Sequence, residues 1–157
     1  MTRTVLNSRR SRRTSCSILA LATVLSVGPT PAAAQSFLGT GTYATNPNAT
    51  GITTTATTTT INLNSGNTVI NWTPTDNAIN NNQPINFQNS GTTATFRTTS
   101  GNFAVLNNIG VADTSRVITM SGTVNGQIGA TTGGSIYFYS PSGFLISNSA
   151  TFNLSSL

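Results

Sequence analysis

Histidine, lysine and glutamate are absent from all 157 residues, and cysteine occurs once, at Cys16. Without histidine no Ser-His-Asp or Cys-His nucleophilic site can be assembled, and the usual zinc ligand sets fail with it. Asp76 and Asp113 are the only acidic side chains, so a glycosidase would have to work with that one pair. As turn residues they are expected to form turns instead. Gly133-Gly134-Ser135 lacks the aspartate of a calcium-binding β-roll repeat. Arg97 and Arg116 are isolated, so no cluster of cations exists for a lyase of the basic β-helical kind. Each is expected to be solvated or to pair with one of the aspartates. These absences predict a protein that is not an enzyme and carries no cofactor or metal.

The remaining basic charge is confined to the start of the chain. Arg3, Arg9, Arg10, Arg12 and Arg13 precede an apolar run from Ile18 to Val27, then Pro29, Pro31 and Ala32-Ala33-Ala34. A basic segment, a short apolar segment and small residues at an A-x-A site form the pattern of a secretory signal peptide. Cleavage is expected between Ala34 and Gln35. The apolar run is shorter than the about 20 residues that span a bilayer. Cys16 stands before this run, the wrong side for a lipid anchor, and no apolar pair follows the arginine pairs as twin-arginine export would favour. Removal of residues 1–34 leaves 157 − 34 = 123 residues with two arginines and two aspartates, a formal charge of 2 − 2 = 0 against +5 for the whole chain. The basic balance therefore gives no reason to expect nucleic-acid binding. The mature chain has no cysteine and must be held by backbone pairing and packing alone.

Threonine, asparagine, serine and glycine dominate the mature chain, and all four rank below alanine in helix propensity. Residues 35–56 hold few apolar side chains and are expected to be a loose lead-in or cap. From Thr57 the chain reads as short strands between Gly, Asn, Pro and Ser turns. The strands fall at residues 57–64, 68–72, 85–88, 93–97, 103–108, 116–122, 124–128, 134–140, 143–147 and 150–154. The stretch from Asp76 to Pro84, with Asn80-Asn81-Asn82, reads as a loop. Such spacing fits a β-sandwich or barrel. Varied turns, apolar blocks such as Val105-Leu106 and Phe144-Leu145-Ile146, and an excess of Asn and Thr suited to stacked ladders fit a parallel β-helix. The fold class is therefore all-β, with both architectures open on composition alone.

Specific motifs lie within this frame. Gly134-Ser135-Ile136-Tyr137-Phe138-Tyr139-Ser140-Pro141-Ser142-Gly143-Phe144-Leu145-Ile146, then Ser149-Ala150-Thr151-Phe152-Asn153-Leu154, reads strand, Pro-Gly turn, strand, small residue, strand. Upstream stand Val69-Ile70-Asn71-Trp72, Ile85-Asn86-Phe87, Leu106-Asn107-Asn108-Ile109 and Ser121-Gly122-Thr123-Val124-Asn125-Gly126. In order and rough spacing this set resembles the amino-terminal region of filamentous-haemagglutinin-like exoproteins, over about Asn62 to Leu154. Ser140 and Ser142 replace the two asparagines of the family's Asn-Pro-Asn-Gly turn, and Asp113-Thr114-Ser115 stands where the family has Asn-Pro-Asn/Ser. Serine and aspartate still cap turns through their side-chain oxygens.

The resemblance implies a right-handed parallel β-helix, or solenoid, with an amino-terminal cap. It also implies the secretion domain of a two-partner system, recognised in the periplasm by an outer-membrane β-barrel transporter. The product would be secreted from, or displayed on, a Gram-negative bacterium as part of an adhesin that reaches a host or neighbouring cell through a downstream passenger. Leu157 would then not be a natural end, and the last coil would need a cover. Candidate recognition positions are Asn71, Trp72, Leu106, Asn107, Asn125, Gly126, Ser140, Pro141, Ser142 and Gly143. The alternative is a free-standing secreted β-rich module that binds a glycan or a cell. Trp72 could stack on a sugar, but core packing is the plainer expectation. Tyr137 and Tyr139 alternate with Ile136 and Phe138, so an outward pair could contact a partner or flank the next coil. Phe138, Phe144, Ile146 and Phe152 are expected to make the carboxy-terminal coils the best-packed part.

Overall fold

The period-two alternation of Thr, Ile, Val and Phe produces strands wherever a turn allows one. In a computed structural model, residues 35–45, 51–79 and 82–157 are described. The expected signal peptide, Ala34 and Asn80-Asn81 lie outside the described residues. The chain is all-β: β1 (Gly39–Thr45), β2 (Gly51–Thr54), β3 (Thr58–Asn62), β4 (Gly66–Pro74), β5 (Ile85–Gln88), β6 (Thr93–Thr98), β7 (Phe103–Ile109), β8 (Ile118–Met120), β9 (Thr123–Ile128), β10 (Thr131–Thr132), β11 (Ser135–Tyr139), β12 (Phe144–Ile146) and β13 (Thr151–Asn153).

These strands form three sheets, ordered β1-β4-β7-β11, β10-β9-β6-β3-β2 with β13 also on β9, and β12-β8-β5. The chain supplies β3, β4 and β5 to the three sheets in turn, then β6, β7 and β8, then β9, β11 and β12. Strands in equivalent places pair in parallel, as in β3-β6-β9-β13, β4-β7-β11 and β5-β8-β12. Parallel neighbours cannot be joined by a tight hairpin. Here the chain returns by way of the other two sheets. Two sheets are mixed, because β1 pairs antiparallel with β4, β2 with β3 and β10 with β9. The β9–β10 hairpin was not anticipated from the sequence. Its loop is only Gly129-Ala130, with Gly129 at φ +60°, a conformation glycine adopts without steric cost.

Alternate residues of the longer strands point into a common core that includes Ile61, Ile70, Ile85, Phe87, Phe96, Val105, Ile118, Val124 and Ile136, all buried. Within the expected lead-in or cap, Gly39–Thr45 and Gly51–Thr54 are strands and Phe37 reaches the core. Phe37 is 1% exposed and stacks on Phe87 at 4.9 Å, meets Trp72 edge-on at 5.1 Å and lies 6.1 Å from Phe96. One aromatic ring escapes a composition count, yet it carries Phe37 into the core. The carboxy-terminal strands, conversely, are not the best packed. Phe138, Phe144 and Phe152 are half-buried and Ile146 is 48% exposed. They lie on β11, β12 and β13; β12 and β13 each pair with one neighbouring strand, and β11 pairs with β7 and otherwise meets only a single bridge from Ser135 to Ser156.

Candidate functional site

Trp72 sits on β4 with its ring turned inward, 2% exposed. An indole N–H buried in hydrocarbon needs an acceptor, and Trp72 Nε1 donates to Asn107 Oδ1 at 2.9 Å. The Asn107 amide, itself fully buried on β7, donates through Nδ2 to the Tyr137 carbonyl at 3.1 Å on β11. One side chain thus ties three strands of a sheet together. Gly41 on β1 makes room for this ring, since a Cβ there would come within 2.7 Å of it. The core placement expected for Trp72 is what the structure shows, and its ring is closed to a sugar.

The outward partners behave differently. Asn71 is exposed on β4 and accepts from Asn108 Nδ2 at 2.9 Å across the register pair Asn71–Asn108. Asn125 on β9 likewise accepts from Asn153 Nδ2 at 2.9 Å. These are side-chain ladders of the kind the asparagine excess suggests. Leu106 is 37% exposed on β7, opposite Tyr137 of β11, which is 43% exposed. Tyr139 is 56% exposed on the same outer face. Gly126 is buried, and a Cβ there would collide with the Gly133 carbonyl, so glycine is a packing requirement.

Between β11 and β12 the chain turns through Ser140-Pro141-Ser142-Gly143. Ser140 Oγ lies 3.0 Å from Ser142 Oγ and accepts from the Ser142 N–H at 3.4 Å. The Gly143 N–H reaches the Ser140 carbonyl at 3.2 Å, with Gly143 at φ +74°. Serine therefore supplies the capping oxygen that asparagine would. Asp113 Oδ1 does the same in its own turn, accepting from Ser115 N at 3.0 Å and Ser115 Oγ at 2.6 Å.

The ten motif positions do not converge on one site. Trp72 joins Asn107 in the core and Ser140 joins Ser142 in a turn. Asn125 and Gly126 belong to a different sheet, and Gln35, the expected first mature residue, is exposed next to buried Ser36 and Phe37.

A polar cluster outside the motif set is more closely built. Arg116 is 2% exposed and bidentate to Asp76, at 2.6 Å and 3.2 Å, while its Nε and Nη1 donate to the carbonyls of Gln83 and Ala78. The hydrogen bond from Arg116 holds the Asp76 carboxyl below its ordinary range. Of the two expectations for Arg116, solvated or paired, the second holds. Its role is to pin the stretch around Asp76 and Gln83 to the start of β8. A lone arginine beside lone aspartates was the only signal for it in the sequence. Gln88 was missed too: it is buried, with Nε2 donating to Ser36 Oγ and to the Thr123 carbonyl.

Among the described residues no three His, Cys, Asp or Glu side chains come together as a metal site would need. An open apolar cavity of about 250 Å³ lies between Met120, Phe138, Phe144, Ile146 and Phe152, at the end of the sheets away from β1 and β2. Among the described residues no helix is long and apolar enough to cross a membrane. No family model, curated protein or solved structure matches the chain.

Proposed function

We propose that this chain is the amino-terminal secretion domain of a two-partner exoprotein of the filamentous-haemagglutinin-like type. In this reading the three interleaved parallel ladders form a right-handed parallel β-helix, and β1 and β2 cap its first coil. The single observation that carries it is the ordered motif set, from Ile70-Asn71-Trp72 to the Ser140–Gly143 turn, falling on successive strands and turns of those ladders. The antiparallel β1 and β2 close the amino-terminal side, as a cap would. The absence of a mature cysteine suits a chain that crosses an outer membrane unfolded. An outer-membrane β-barrel transporter would engage exposed strand edges, where main-chain hydrogen bonds tolerate sequence drift.

The test is export of a reporter fused behind this chain, in a Gram-negative host with and without a co-expressed outer-membrane transporter of the two-partner type. Export that requires the transporter supports the reading. Equal surface appearance without the transporter, or retention in the periplasm with it, overturns it. A second reading, a free-standing glycan- or cell-binding module, is favoured by the exposed Leu106, Tyr137 and Tyr139 on one outer face.

A further inference from the structure

The outer face of the β3-β6-β9-β13 ladder carries a two-dimensional array. Thr58, Thr93, Thr123 and Thr151 are in register across the four parallel strands. Two residues along, Thr60, Thr95, Asn125 and Asn153 form a second column. The residues between the columns, Thr59, Ala94 and Val124, are buried, so both columns point away from the core. Each strand therefore shows Thr-x-Thr or Thr-x-Asn outward. On the antiparallel neighbour β2, exposed Thr53 faces Thr60 and continues the second column.

The array is regular because the pairing is. No register shift interrupts β3-β6, β6-β9 or β9-β13, whereas β1–β4 and β5–β8 each contain one. Strand spacing and strand rise fix the repeat at about 4.8 Å across the strands and about 6.7 Å along them. Side-chain ladders such as Asn125–Asn153 are among the features that keep a sheet flat.

A discrete small ligand calls for a concave site with a few convergent polar groups. A face that repeats hydroxyl and amide side chains at fixed spacing in two directions suits a ligand that itself repeats. Two classes of periodic solid are reasonable, ice and a crystalline polysaccharide. The polysaccharide would need aromatic rings to stack on, and Tyr137 and Tyr139 belong to a different sheet. Threonine presents a methyl group, which restricts the orientation of adjacent water, next to a hydroxyl that hydrogen-bonds it. The array is also nearly free of charge. Arg97, in the flanking row with Asn62 and Gln127, is the only charged side chain on these strands.

We propose that this threonine face orders water into a lattice and binds ice. The proposal is independent of the secretion reading. The full chain is examined by nanolitre osmometry and by the shape of ice crystals grown in its presence. Wild type gives faceted crystals and a gap between freezing and melting. Thr95→Tyr, an outward change at the centre of the array, removes more than half of that gap, with the unfolding midpoint unchanged. Asn125→Thr, which extends the second column, widens it, and Tyr137→Ser on the other sheet leaves it as it was. Rounded crystals with folded wild type overturn the proposal, as does a gap unchanged in Thr95→Tyr. Retention on crystalline cellulose without ice shaping overturns it in favour of a polysaccharide.

Discussion

Replacing Phe37 with alanine tests where the stability of this fold resides. The ring is 1% exposed and surrounded by Phe87, Trp72, Phe96 and Phe138. A buried phenylalanine truncated to alanine costs about 3–5 kcal/mol, because the lost transfer energy is joined by a cavity that rigid neighbours cannot fill. The upper half of that range is expected here, since four other rings frame the hole. Phe144 is half-buried beside an open cavity. Its truncation removes less covered surface and leaves a hole that water already reaches, for about 1–2 kcal/mol. Urea unfolding of both variants from Gln35 onward separates the cases. With a slope of about 2 kcal/mol per molar, a loss of about 4 kcal/mol lowers the midpoint by about 2 M. A larger loss for Phe144→Ala than for Phe37→Ala would refute the reasoning and return the core to the carboxy-terminal strands.

Trp72→Phe keeps most of the ring but leaves the buried Asn107 Oδ1 without the indole N–H, and is expected to cost about 1–3 kcal/mol in the same assay. Asp76 has a lowered folded pKa, so its contribution is present above the unfolded value of about 4 and is lost as pH falls through the folded value. Asp76→Asn should flatten the acid limb of a melting-temperature profile. Burial pushes the Tyr43 phenol up to about 12. That stabilisation is complete below the unfolded value of about 10 and disappears as pH rises through the folded one, so Tyr43→Phe should melt less steeply with alkali. Amino-terminal sequencing of exported protein should begin at Gln35; a start before Ala32 would defeat the cleavage assignment.

Most strands were legible because period-two alternation is a local signal. The expected residues 85–88 coincide with β5, and 93–97 and 124–128 fall within a residue of β6 and β9. What stayed hidden depends on distant partners. Phe37 gains its place from Phe87 and Trp72, fifty and thirty-five positions away in a chain whose local composition near Phe37 is polar. Arg116 is buried only because Asp76 and two carbonyls meet it. Ile146 looks like core by its neighbours Phe144 and Leu145, but exposure depends on what lies beyond β12, which a local pattern does not contain. The same limit applied to the motif positions. Their order could be read, and so could the inward turn of Trp72, but not the burial of Asn107 and Gly126.

That inward or outward choice constrains how a partner could read the motif set. Trp72, Asn107 and Gly126 are buried, and their substitution would act on the fold before it acted on any contact. Asn71, Leu106, Pro141 and Gly143 are exposed, and Asn125 and Ser142 partly so. The exposed members lie on two different sheets and a turn, too dispersed for one small pocket. A partner that engages them must cover an extended surface or pair with a strand edge. The edges are unequal. At one end of its sheet β1 offers seven residues, whereas β12 and β13 at the other end of theirs offer three each. Main-chain pairing gains with the number of residues paired, so an added strand has the longest row of backbone groups at β1. None of the ten motif positions lies on β1, but Asn71 and Trp72 pair directly with its Thr42 and Gly41. A partner strand docked on β1 would therefore read those two motif residues only through the strand that covers them, and Gly41, which a larger residue could not replace without displacing the Trp72 ring, would set how that edge is presented.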